Sequence, residues 1–226
     1  MKKSYRFLLA AVAVFAAGCA SSERKVGSEH AGAITAAEAR ARLVEGNARF
    51  VSGRAEHPRQ GEERRAEVAG GQHPFAVVLA CADSRTGPEI VFDQGLGDLF
   101  VVRGAGNVID DHAIGSIEYA VEHLHAGTIV VLGHKKCGAV KAACEVTATH
   151  GHAEGHIDSI VRSIAPAVAQ TQGQDAEATC KANARNVARA LRSSEPILKA
   201  AADKGELTVV AAYYDLDSGK VVFLDE

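Results

Sequence analysis

The sequence lacks a strong charge of either sign. Its 226 residues carry 25 Lys and Arg against 28 Asp and Glu, a formal net charge of −3. No basic field is therefore available to attract nucleic acid or acidic lipid. It has no tryptophan, only 5% aromatic residues and no internal repeat, and 47% of its residues are hydrophobic. This ordinary composition predicts a globular domain with one sizeable core.

Long hydrophobic runs are also missing. The most apolar stretch is LLAAVAVFAA at 8–17, which is too short to span a bilayer and follows Lys2, Lys3 and Arg6. The small residues of AAGC, which ends at Cys19, resemble the lipobox of bacterial lipoproteins, in which that cysteine is acylated and becomes the mature N-terminus. We therefore expect a signal peptide at 1–18, a lipid-anchored linker at 19–33 and a folded domain at 34–226. The alternative is a plain secretory signal.

Export places the domain in an oxidising compartment. The two residues after Cys19, Ala20 and Ser21, are not acidic, so the signal that retains such lipoproteins at the inner membrane is absent. We expect the periplasmic face of a bacterial membrane, with the outer membrane favoured.

Four apolar, β-branched segments predict strands at 75–80, 99–102, 128–133 and 207–214. Because they are apolar on both faces, they favour a sheet covered on both sides, which is typically parallel. A capping box at Thr35 and Glu38 begins an N-terminal helix, a helix at 114–127 is expected to end at a glycine cap, and DLDSG predicts a last hairpin. The fold class is therefore α/β, a single domain with a mainly parallel central β-sheet flanked by α-helices and an N-terminal helical arm.

Only five cysteines are present, and two of them follow predicted strands. Cys81 comes directly after the first strand, while His134 and Cys137 follow the third. Thiolates and imidazole suit zinc, and three protein ligands leave a fourth position open, as in catalytic zinc sites. The alternatives are a buried thiol at Cys81 or a disulfide between Cys81 and Cys137.

Two segments, CADSRTGPEIVFDQGLGDLFVVRGAGNV at 81–108 and GHKKCGAVKAA at 133–143, resemble the signature regions of the β-class carbonic anhydrases. The resemblance extends from LVEGNARFVSG at 43–53 to YYDLDSGKVVFL at 213–224. It implies one Zn²⁺ per subunit, held by Cys81, His134 and Cys137. It also implies a catalytic dyad of Asp83 and Arg85. The substrate-binding positions that it implies are Gln72, Phe100, Tyr119 and Gly138.

The same resemblance implies a homodimer or higher even oligomer, because Gln72 and Tyr119 face a neighbouring subunit's zinc in that family. Val78 stands where members with an allosteric bicarbonate pocket carry tryptophan, which argues against that control here.

The implied function is reversible hydration of CO2 to bicarbonate and a proton by a zinc-bound hydroxide. Hydrolysis of carbonyl sulfide or carbon disulfide is one alternative, and a non-catalytic zinc- or bicarbonate-binding relative is another. The presence of both Asp83 and Arg85 argues against the second alternative, since a structural site needs neither. Cys144 and Cys180 are interpreted as small buried residues, with a disulfide between them left open.

Overall fold

The computed structural model describes residues 34–173 and 175–224. The predicted signal peptide, the linker and Cys19 lie outside the described residues. The helices are α1 Ala36–Val51, α2 Glu62–Val68, α3 Pro88–Val91, α4 Asp111–Glu122, α5 Gly138–Thr149, α6 Ile157–Thr171, α7 Ala176–Arg192 and α8 Ile197–Asp203. The strands are β1 Ala76–Ala80, β2 Leu99–Arg103, β3 Thr128–His134, β4 Thr208–Tyr214 and β5 Val221–Leu224. None of the described helices is both long and apolar enough to cross a membrane.

The strands form one sheet in the order β2-β1-β3-β4-β5. The first four run parallel, and β5 pairs antiparallel with β4 through the predicted hairpin. Every residue of β1 and β3 is buried, because both strands lie inside the sheet with packed side chains on each face. The predicted fold class and all four predicted strands are confirmed.

The sheet separates two apolar clusters. Val77, Leu79 and Val131 point to the face covered by α4, α7 and α8, where Ile117, Leu191 and Leu198 pack. Val78 and Val130 point to the opposite face, toward the α1 residue Leu43 and toward Phe92. Alternation along β1 therefore places successive valines in different layers, as a sheet covered on both faces requires.

The two ends of the N-terminal helix α1 are fixed by polar contacts. The predicted capping box is present: the Thr35 hydroxyl accepts from the Glu38 amide at 3.2 Å, and a Glu38 carboxylate oxygen accepts from the Thr35 amide at 2.8 Å. Near the other end, the Asn47 side chain is 6% exposed and donates to the carbonyls of Val91 and Gly219. Its oxygen accepts from the Val221 amide at 2.9 Å.

The predicted glycine cap on the helix at 114–127 is wrong. Helix α4 begins earlier, at Asp111, because the Asp110 carboxylate accepts from the Ala113 amide at 2.8 Å. It ends at Glu122, and His125 rather than glycine takes the left-handed conformation, with φ of 57°. Gly127 instead leads into β3, where its carbonyl accepts from the Thr208 amide.

We expect Asn47→Leu to lower the free energy of unfolding by about 3 kcal/mol, because it leaves three backbone groups, one in α3 and two in the last hairpin, without their partner. Chemical denaturation measures the change. Asn186→Leu is the matched control, since Asn186 lies on the surface of α7 and pairs only with side chains; it should change stability by no more than about 0.5 kcal/mol. Equal losses in the two variants would contradict the structural role given to Asn47.

Candidate metal centre

Parallel pairing brings the two predicted strand ends together. Cys81 follows the last residue of β1, His134 is the last residue of the adjacent strand β3, and Cys137 is the N-cap of α5. One side-chain ligand atom from each of these residues lies within 4.8 Å of the other two. All three residues are buried, with 5%, 1% and 4% exposure in chain order. The structure thus gathers at one rim the residues that the sequence predicted as ligands.

All four described cysteines are free. The alternatives of a disulfide between Cys81 and Cys137 and of one between Cys144 and Cys180 are therefore not realised. Cys180 is buried as expected, whereas Cys144 is only half-buried. Burial raises the pKa of the Cys180 thiol to about 12, so it stays protonated at neutral pH.

The His134 ring is oriented for ligation. Its Nδ1 lies 2.9 Å from the carbonyl oxygen of Lys135, which can only accept, so Nδ1 carries the hydrogen and Nε2 the lone pair. Nε2 is fully buried and has no hydrogen-bond partner among the described residues. A buried acceptor without a partner costs free energy unless something binds it. The donor set of one imidazole nitrogen and two thiols fits a zinc ion, which prefers these ligands.

The two thiols hold a proton between them. The pKa of Cys81 is lowered to about 4, first by the Cys137 thiol that donates to it and also by the Gly106 amide, which donates to its sulfur. The pKa of Cys137 is raised, first by that same hydrogen bond to Cys81 and then by burial. Cys81 is thus the sulfur that gives up its proton more easily. A cation bound beside both sulfurs would favour loss of the remaining proton.

The Asp83 carboxylate is held away from the three ligands by Arg85. Asp83 Oδ1 accepts from Arg85 Nε at 2.9 Å, Oδ2 accepts from Nη2 at 2.7 Å, and the Arg85 amide donates to Oδ1 at 3.0 Å. These bonds keep the pKa of Asp83 well below its usual range. Oδ2 nevertheless lies 4.0 Å from His134 Nε2. An ionised carboxylate therefore stands beside the ligand cluster without occupying it.

Two residues that the sequence analysis did not identify fix the backbone of this turn. The Arg103 guanidinium, at the end of β2, donates to the carbonyls of Cys81 at 3.0 Å and Asp83 at 2.6 Å. The buried Thr86 hydroxyl lies within hydrogen-bond distance of the same two carbonyls. The role of Arg103 could have been predicted only from the pairing of β2 with β1, and the sequence alone does not reveal which strands pair. The turn that carries Cys81 and Asp83 is therefore braced from two sides.

The predicted substrate-binding residues lie in different settings. Gly138 is the first residue of α5, directly after Cys137, and is exposed; a Cβ added there would meet nothing from the rest of the fold within 4 Å. Phe100 lies on β2, half-buried against the core. Gln72 is exposed in the loop before β1, and Tyr119 on α4 is 49% exposed. Only Gly138 is thus adjacent in sequence to a candidate ligand.

Comparison with known proteins gives one consistent result. The carbonic anhydrase family profile matches residues 76–221. Carbonic anhydrase 2 of Mycobacterium tuberculosis is 44% identical over 191 residues, which cover 81% of this chain and 90% of that protein.

Solved structures agree. The β-carbonic anhydrase CafA of Aspergillus fumigatus superposes with a TM-score of 0.63 at 30% identity, over 84% of this chain and 90% of that one. A β-carbonic anhydrase of Sordaria macrospora, described as tetrameric, shares the fold with a TM-score of 0.66 at 23% identity, over 84% of this chain and 98% of that one. The chain therefore belongs to the carbonic anhydrase family and, within it, to the β class.

Proposed function

We propose that this protein hydrates CO2 reversibly to bicarbonate and a proton, with one zinc ion held by Cys81, His134 and Cys137. The observation that carries the proposal is the meeting of these three buried ligand atoms within 4.8 Å, beside an ionised Asp83 that Arg85 holds. A purely structural zinc site would have no use for a fixed carboxylate at its open side.

Zinc, when bound, supplies a Lewis acid that lowers the pKa of water from ~15.7 toward ~7 and so makes a nucleophile available near neutral pH. Asp83 would accept a hydrogen bond from the attacking oxygen and so direct the lone pair of that oxygen toward CO2. To do this it must stay ionised and must not become a ligand itself. Arg85 meets both needs, because its bidentate bonds stabilise the charge and fix the direction of the carboxylate.

CO2 is small, linear and apolar, so its pocket needs an apolar surface that excludes water and a single hydrogen-bond donor, not a charged group. Phe100 and Tyr119 provide aromatic surface. The Gly138 amide or the Gln72 side chain donates to one CO2 oxygen and stabilises the negative charge that develops there as bicarbonate forms. The exposed position of Gly138 at the start of α5 leaves its amide accessible for this contact.

We further propose that the site is completed by a second copy of the chain. Gln72 and Tyr119 are exposed in the single chain. Within the described residues no strand pairs with the outer edge of β2, which is otherwise a surface open to further pairing. The Sordaria macrospora enzyme is tetrameric. A dimer or a higher even oligomer would place Gln72 and Tyr119 of one subunit against the zinc of another.

Export as a lipoprotein is also a proposal. It rests on the basic residues at 2–6, the apolar stretch at 8–17 and the small residues before Cys19. Acylated Cys19 would anchor the enzyme at the periplasmic face of a membrane, with the outer membrane favoured. Residues 20–33 would then link the anchor to the folded domain.

Replacing a ligand should remove the metal. We expect Cys137→Ser to lose its zinc and to lower CO2 hydration by more than the ~10–100-fold typical of changes around a metal site, because serine is a poor zinc ligand. Elemental analysis of the purified protein measures the zinc. Cys144→Ser, at another free cysteine, should keep one zinc per chain. Full zinc content in Cys137→Ser would disprove the ligand set.

A mixing experiment tests the shared site. Gln72→Leu and Arg85→Ala should each reduce kcat/KM by about 10-fold or more while retaining zinc. If Gln72 serves the partner's site, refolding the two variants together creates mixed dimers with one intact site each. Equal mixing should then restore about a quarter of the wild-type activity per subunit. No recovery in verified mixed dimers would show that Gln72 acts within its own subunit.

Lipidation is tested with the full chain in a bacterial host. The wild type should incorporate labelled palmitate and sediment with membranes. Cys19→Ser should lose the label and leave the membrane fraction, because a serine hydroxyl is not the acceptor of this modification. Cys144→Ser should behave as the wild type does. A wild-type chain without label would favour the plain secretory signal instead.

A further inference from the structure

Helix α7 packs behind the metal centre, against β3 and β4. It contributes no candidate ligand, yet its buried face carries three hydrogen-bonding side chains among alanine, valine and leucine. Thr179 bonds to the Thr171 hydroxyl and to the Asp175 carbonyl. The other two are Cys180 and Asn183, three residues apart and 2% exposed each. Each donates to a backbone carbonyl close to a candidate ligand. Buried polar side chains in an apolar face cost stability unless their bonds are satisfied, so the destination of each bond is informative.

The Asn183 side chain leads to Cys81 through one residue. Asn183 Nδ2 donates to the carbonyl of Gly106 at 2.9 Å. The amide of Gly106 in turn donates to Cys81 Sγ at 3.2 Å. Gly106 lies in the short 3-10 turn Ala105–Asn107 that follows β2, with φ of 68°. The Asn183 side chain therefore holds the Gly106 carbonyl, which belongs to the peptide group after Gly106. The Gly106 N–H belongs to the peptide group before it and points at Cys81 Sγ.

No residue with a side chain fits at position 106. A Cβ at this position would lie 2.7 Å from Ile164 Cδ1 and 3.1 Å from Ala139 Cβ, and the positive φ favours glycine in any case. Glycine leaves both flanking dihedral angles free, so the direction of its amide depends on external bonds. Within the described residues, Asn183 supplies the side-chain bond to its carbonyl.

The second donor of the same face supports this reading. The Cys180 thiol donates to the carbonyl of His134 at 3.2 Å. Gly133 makes room for it, since a Cβ there would lie 3.0 Å from Cys180 Sγ. Consecutive turns of α7 thus restrain the backbone beside two different ligands.

We propose that Asn183 is a positioning residue of the metal centre, which fixes the Gly106 amide against Cys81 Sγ. The proposal rests on the proposed role of Cys81 as a zinc ligand. An amide that donates to a thiolate withdraws electron density from the sulfur and orients its lone pairs. Loss of Asn183 frees the Gly106 peptide, so that Cys81 is both less well oriented and richer in charge.

The first measurement is the zinc dissociation constant, obtained by competition with a chelating dye at one fixed pH. We expect Asn183→Leu, which is close in size to asparagine, to weaken zinc binding about 10-fold or more. Asn47→Leu is the control for loss of a buried asparagine, because Asn47 holds α1 to the last hairpin and contacts no candidate ligand. Asn186→Leu is the control for the same change on the same helix.

The second measurement is spectroscopic. In the Co²⁺-substituted protein, the thiolate-to-cobalt charge-transfer band of Asn183→Leu should move to lower energy, because Cys81 Sγ has lost a stabilising donor. The band should not move in Asn47→Leu or Asn186→Leu. If Asn183→Leu does not fold, Asn183→Ala, which removes the same donor with less apolar bulk, is measured in its place and the same shift is expected.

Wild-type zinc affinity in the Asn183 variant, a loss no greater than that of Asn47→Leu, or an unmoved band would each overturn the proposal. Failure of the proposed function is seen separately: Cys137→Ser would then retain its zinc, whatever happens at Asn183.

Discussion

The parallel pairing of β1 with β3 is the constraint on which the site depends. Parallel strands end at the same edge, so a cysteine after one and a histidine at the end of its neighbour meet without any special loop. The short connection from His134 to α5 then returns Cys137 to the same point. Burial of both strands on two faces makes this register costly to change, because a slip by one residue would turn each side chain toward the opposite layer, where different side chains pack.

The rim combines groups that would be unfavourable in isolation. It holds two thiols, a carboxylate and an imidazole whose Nε2 is buried and has no hydrogen-bond partner in the part of the chain that the structure describes. Hydrogen-bond donors surround these groups: Arg85 binds the Asp83 carboxylate, Arg103 binds the Asp83 carbonyl, and the Gly106 amide donates to Cys81 Sγ. The rim thus brings together ligand atoms and orienting donors in an arrangement that suits a bound cation.

Much of this could be read from the sequence because the informative signals are local. Continuous apolar runs identify the inner strands. The spacing of Thr35 and Glu38 predicts a capping box, and short motifs after the strands contain the candidate ligands. The end of α4 was missed because His125 took a left-handed conformation that the sequence alone assigns to glycine. Arg103 and Asn183 were missed for a different reason. Their partners lie 22 and 77 residues away, and only the strand order and the packing of α7 bring them close.

The contacts of α1 bear on where the protein can be cut. Asn47 bonds both sides of the turn that begins β5, and the Arg40 guanidinium lies 4.7 Å from the centre of the Phe223 ring. The first described helix and the last strand are therefore in direct contact. A shortened version made for crystallisation or immobilisation therefore has to keep α1 from its Thr35 cap onward, because removing this helix would also remove contacts that hold β5 in place.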